Sequence, residues 1–163
     1  MVSVAQFSAL APSAPAARLA AADVIDAVVG WAPDDRIEVI RSGFPAGVVA
    51  HLAERMGWTK ERAIDALKLK RSTVLRKIKE HRRLDTPDSE RLMAVMDMIA
   101  QVEQMVTRSG AAAGFDAAQW LAAWLDAPCP ALGGRQPSDY LDTNEGIQVV
   151  RGVLAQMESG AYA

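Results

Sequence analysis

The chain has 163 residues, half of them apolar, with a formal net charge of −2. This suits one hydrophobic core or two small ones, and no run approaches the ~18 uninterrupted apolar residues of a membrane-crossing helix. The alanine-rich start has no Lys or Arg before Arg18, and Cys129 has no second cysteine to pair with, so we expect neither a secretory signal nor a disulfide framework. We therefore expect a cytoplasmic protein with no membrane partner.

Residues 1–22 are rich in Ala, Ser and Pro without hydrophobic periodicity and read as a flexible arm. Two short apolar runs between Val24 and Ile40 flank Gly30, Trp31, Ala32 and Pro33. Gly43 and Pro45 punctuate the chain before Val48, Val49, Leu52 and Met56 recur at near-helical spacing, and Gly57 ends that segment. These are supporting helices. No segment shows sustained alternation with hairpin turns, so an all-α fold is expected.

Charge is unevenly spread. From His51 to Arg83 there are eleven Lys or Arg against four acids, a local +7, so the rest of the chain carries −9 to reach the total of −2. A basic island in an acidic chain suits a phosphate backbone, a solvated helix face or an acidic partner. The island is also ordered as helix, turn, helix. Thr59 can cap a helix carrying Arg62, Ala63, Ala66 and Leu67, and Leu69 to Ser72 form the turn. Ser72 or Thr73 then opens a second helix with Val74, Leu75 and Ile78 facing inward. Its outward set, Lys70, Arg71, Ser72, Thr73, Arg76, Lys77 and Lys79, is the candidate DNA-binding surface, with Arg and Lys reading base edges and the hydroxyls bonding phosphate or base.

Next comes a long helix with Thr86 as N-cap, Pro87 at its first position, and acids Asp88 and Glu90 where the dipole favours them. Leu92, Val95, Met96, Ile99, Val102 and Val106 form a stripe that reads as core or dimer seam, ending at Ser109-Gly110. Met93, Met96, Met98 and Met105 widen the apolar arc.

The last 45 or so residues describe a small built surface suited to meeting a protein. Asp116 or its neighbours start a helix striped by Ala117, Trp120, Leu121, Trp124 and Leu125, with Trp120 inside and Trp124 partly shared. Gly133 and Gly134 free the backbone before Arg135, on a loop held by Pro130 and Pro137. Thr143 caps a final helix facing inward through Ile147, Val150, Leu154 and Met157, and Ser159-Gly160 end it ahead of Ala161, Tyr162 and Ala163. No catalytic set or metal-ligand spacing is visible: His51 and His81 lie in separate segments, and the Asp85/Asp88 and Asp139/Asp142 pairs suit caps and turns. We expect no enzyme activity, no cofactor and no metal.

The run Trp120-Leu121, Pro128-Cys129-Pro130-Ala131-Leu132-Gly133-Gly134, Pro137, Tyr140-Leu141-Asp142-Thr143, Gly146, Val150, Leu154 and Glu158-Ser159-Gly160 resembles the toxin-binding domain of the Xre/MbcA/ParS antitoxins. The segments Arg71 to Leu75 and Leu84 to Leu92 are similar to that family's Xre-like helix-turn-helix half. One departure is Cys129, where relatives commonly carry Asn between two prolines. The resemblance implies a type II antitoxin that binds and neutralises a RES-type toxin, which consumes NAD or ADP-ribosylates, by covering its active site. It also implies a homodimer and autorepression through operator DNA.

Domains are accordingly expected at 23–110, the helix-turn-helix bundle, and 111–163, the toxin-binding domain. By position, Trp124, Gly133, Gly134, Arg135, Arg151, Met157, Gly160 and Tyr162 are the candidate toxin contacts. The alternative is a stand-alone transcription regulator whose C-terminal half dimerises or senses a ligand.

Overall fold

The structure, a computed structural model, describes residues 21–160. Among the described residues there are eight α-helices and no strand: α1 (Ala21–Ala27), α2 (Pro33–Ser42), α3 (Val48–Met56), α4 (Lys60–Ala66), α5 (Arg71–Lys79), α6 (Thr86–Ser109), α7 (Ala117–Asp126) and α8 (Asn144–Glu158). Short 3-10 turns at Val28–Gly30, Pro130–Leu132 and Pro137–Tyr140 join them. α1 begins two positions inside the segment expected to be an arm, and the rest of that segment lies outside the described residues. None of these helices is long and apolar enough to cross a membrane.

α6 is the hub, packing against α2, α7 and α8. Leu92, Met93, Val95, Met96, Met98, Ile99 and Val102 are all buried, while Met105 and Val106 near the end of α6 are half-buried, so most of the methionine-widened arc is core. A flexible thioether fills the irregular gaps between several helices meeting at different angles. The same buried cluster takes in Val24 and Ile25 of α1, Leu52 of α3, Ile64 of α4, Leu121 and Leu125 of α7, and Val150 and Leu154 of α8. Apolar packing thus continues across the expected boundary at residue 110.

Helix starts follow local side-chain chemistry, with one shift. Thr59, Asp116 and Thr143 each accept a hydrogen bond from the backbone N–H three residues on, as expected. For α6 the cap is Asp85 rather than Thr86: its carboxylate accepts from the N–H of Asp88 at 3.1 Å. Asp85 holds the extended backbone a cap requires, whereas Thr86 already lies in the helix, and Pro87 is tolerated in the first turn because its missing N–H would have had no intrahelical partner.

Two glycines are required by close approach. Gly43, at φ +82°, passes so near the Leu84 carbonyl that a Cβ would collide with it. This lets Leu84 N–H donate to the Phe44 carbonyl at 2.8 Å and fastens the segment after α5 to the α2–α3 loop. Gly146, in the first turn of α8, lies against the Tyr140 carbonyl and leaves no room for a Cβ.

Candidate functional surfaces

In the basic region the second helix starts earlier than its side chains suggested. α4 ends at Ala66, the turn is Leu67 to Lys70, and α5 opens at Arg71. Lys68 occupies the left-handed region at φ 53°, a position that suits glycine, and with no glycine to mark it the turn was expected two residues later, at Leu69 to Ser72. Leu69 is buried and anchors the turn, while the carbonyl of Lys68 accepts from Arg91 of α6 at 3.3 Å.

Two side chains of α5 lie on faces other than those expected. Val74 is fully buried and Ile78 packs against the core, but Leu75, expected inward, is 36% exposed, because it lies 100° of helical rotation past Val74. Lys77, expected outward, has its stem tucked in, with 14% of its side chain exposed and Nζ 3.9 Å from the Asp85 carboxylate. It sits one turn after Val74 and reaches along the surface toward the α6 cap with its charged end. Lys70, Arg71, Ser72, Arg76 and Lys79 are exposed and Thr73 is half-buried. Arg71 has an exposed ion pair with Asp65 at 3.4 Å. Lys70 provides no side-chain acceptor at the start of α5, leaving the first N–H groups open to an anionic oxygen.

The C-terminal segment forms a second surface. α7 buries Ala117, Ala118, Leu121, Ala122 and Leu125 against α3 and α6. Trp120 and Trp124 both remain half-buried, stacked at 6.2 Å between ring centroids and 6° between planes, with Phe115 tilted against Trp120 at 6.3 Å. Trp120 was expected inside. One turn of helix places it beside Trp124 instead, and Leu121 takes the inward position.

Beyond α7 the chain folds into a tight loop closed by its own backbone. Cys129 N–H donates to the Arg135 carbonyl at 3.0 Å, and the Cys129 carbonyl accepts from Gly134 at 2.9 Å and Leu132 at 3.0 Å. Gly133 and Gly134 both have positive φ, and Arg135 is exposed at the end of this turn. The small buried Cys129 side chain is not needed to close the loop. Gln136 then donates to the Asp126 carbonyl at 2.8 Å, stitching the loop to the end of α7.

Arg62 of α4 joins the two surfaces. It lies over the Trp58 ring at 5.4 Å and forks onto the Asp126 carboxylate, with its Nε 3.3 Å from Oδ2. Lys68, in the helix-turn-helix turn, stands 3.9 Å from Asp139. The start of the basic helix and the loop after α7 are therefore held to one scaffold.

The other candidate contacts are more dispersed. Arg151 of α8 faces Asp97 at 3.9 Å, a carboxylate already held by Arg36 at 2.7 Å, and its carbonyl accepts from Gln101. Met157 is half-buried against the core and Gly160 is exposed at φ +69°. α8 begins beside the Pro137–Tyr140 turn, and its 15 residues run about 22 Å from there to Glu158. Tyr162 lies outside the described residues.

Comparison with known proteins matches both surfaces to one family. Residues 35–96 match the antitoxin Xre-like helix-turn-helix domain and residues 111–160 the antitoxin Xre/MbcA/ParS C-terminal toxin-binding domain. Similarity to a curated relative extends over most of the chain: the "Prs ADP-ribosylating antitoxin" of Sphingobium sp. (strain YBL2) is 44% identical over 131 residues, covering 80% of this chain and 82% of that protein. The chain belongs to the Xre/MbcA/ParS antitoxin family. The all-α fold with an Xre-like helix-turn-helix half and a toxin-binding half, expected from sequence, is what this antitoxin has. α4 and α5 lie within the segment matched to the helix-turn-helix domain, and the Trp120–Trp124 stack, the Cys129–Arg135 loop and α8 lie within the segment matched to the toxin-binding domain.

Proposed function

We propose that this antitoxin binds a toxin of the RES type, one that consumes NAD or ADP-ribosylates, and neutralises it by covering its active site. The observation that carries the reading is the match of residues 111–160 to the toxin-binding domain, and the relative's description as a Prs ADP-ribosylating antitoxin supports the class of toxin. Gly133, Gly134 and Arg135 present an exposed, backbone-braced loop; the proposed contact also takes in Trp124 of α7, Met157 of α8, and Gly160 and Tyr162 beyond it in sequence. Arg151 contributes through its pairing with Asp97, holding α8 in position.

DNA binding by α5 is the second part of the proposal, with autorepression of the operon as its consequence and a cytoplasmic homodimer as the working form. Most of the α6 stripe is consumed in the core, which leaves a dimer to use other surface. Family membership sets aside the stand-alone regulator. The test is co-expression with the toxin encoded next to this gene. Deleting residues 155–163, or replacing Gly133-Gly134-Arg135, should abolish protection and complex formation, while a variant of the α5 basic residues should keep both. Full protection by the deleted chain would overturn the occlusion reading.

A further inference from the structure

Leu75 breaks the chemistry of the face it occupies. Arg71, Ser72, Leu75, Arg76 and Lys79 are exposed at spacings of one and four residues, which places them along one side of α5. Four of the five are charged or hydroxylated, and Leu75, in their midst, is 36% exposed. Packing does not require it there, because Val74 and Ile78 take the core-facing positions. Helix propensity does not require it either, since Ala, Glu or Lys would serve as well on a surface.

The occupant this face fits is duplex DNA. Its positive charge complements phosphate, and a helix can enter the major groove, where Arg, Lys and Ser find hydrogen-bonding base edges. A branched aliphatic side chain has one apolar partner on those edges, the C5 methyl of thymine. Leu75 is one turn beyond Arg71, about 6 Å along the axis and at the midpoint of the nine-residue α5, directly behind the N-terminal residues by which such a helix enters the groove.

We propose that Leu75 is a specificity-determining residue of this antitoxin and covers a thymine C5 methyl in its operator. The inference rests on the DNA-binding reading above. Covering one methyl with leucine is worth about fourfold in affinity. A cytosine or uracil at that position, lacking the methyl, should be discriminated against by that factor.

The test uses the DNA immediately upstream of the coding sequence, made with thymine throughout or with uracil in its place, and fluorescence anisotropy of the full chain at fixed salt. The unaltered protein should prefer the thymine duplex by about fourfold for each methyl covered. Leu75→Ala should bind both duplexes with the affinity the unaltered protein shows for uracil DNA, and Leu75→Met, which keeps an apolar reach, should retain a preference. Alanine is a strong helix former and the site is on the surface, so loss of fold is not the expected route. Equal binding of the two duplexes by the unaltered protein, or an undiminished thymine preference in Leu75→Ala, would overturn the assignment while leaving DNA binding intact. Absence of salt-dependent binding to either duplex would overturn the DNA reading and this inference with it.

Discussion

Replacing Arg62 by alanine cuts one polar link between the helix-turn-helix and the toxin-binding half. Three interactions go at once: the fork onto Asp126, the guanidinium over Trp58 at 5.4 Å and a 3.4 Å contact with the Ser138 hydroxyl. The Arg62 and Asp126 side chains are 33% and 37% exposed, so solvent screens the pair, and it is worth about 1 kcal/mol, the upper end for exposed pairs. The cation–π contact adds roughly 0.5–1 kcal/mol, and the two together with lost stem packing come to about 1.5–2.5 kcal/mol. For a chain of this size the melting temperature should fall by roughly 4–8 °C. Urea denaturation of the single variants and of Arg62→Ala/Asp126→Ala should give a coupling energy of about 1 kcal/mol. A single-variant effect below about 0.5 kcal/mol, or additivity in the double variant, would refute Arg62 as a structural joint.

Other outcomes follow from the same geometry. Gly146→Ala should destabilise by about 2 kcal/mol by calorimetry, because overlap with the Tyr140 carbonyl outweighs the ~1 kcal/mol gain in helix propensity. Burial, then the neighbouring Asp85 carboxylate, raise the Asp88 carboxyl above its ordinary 3.8, against the pull of Arg91. The folded state therefore holds that proton more tightly than the unfolded chain, so this contribution to stability is present at low pH and is lost as pH rises from 3.8 through the raised value. Denaturation midpoints of Asp88→Asn across mild acid should lack that component. In operator binding, Lys70→Ala with Arg76→Ala should reduce the log–log salt slope by about 1 to 2, whereas Lys77→Ala, already drawn to Asp85, should leave it nearly unchanged.

Much of the fold was legible because it is written in short-range chemistry. Thr59, Asp116 and Thr143 cap their helices because a short oxygen-bearing side chain meets a free N–H three residues on. Where the reading slipped, the deciding group was remote or the local signal was missing. Asp85 displaced Thr86 as the cap by one position, and the turn before α5 uses Lys68 in a conformation that sequence reading looks for at glycine. Leu75 and Lys77 lie on faces other than those expected because they flank the inward line through Val74 and Ile78 on opposite sides, and tertiary packing decides which flank is covered.

By itself, the sequence determined an all-α chain, a concentrated basic island, the starts of α3 to α8 to within a residue or two, and the motifs that identify the family. Capping and apolar periodicity act over three or four residues, within reach of a local reading. The tertiary structure alone decided which half-buried aromatics would stack at the surface. It also decided that Arg151 faces Asp97, and that Arg62 and Lys68 reach across to Asp126 and Asp139. Arg62 and Asp126 are 64 residues apart in the chain, and their meeting depends on α7 packing against α3. A single apolar core spanning both halves sets that placement, through many contacts whose geometry no local pattern encodes.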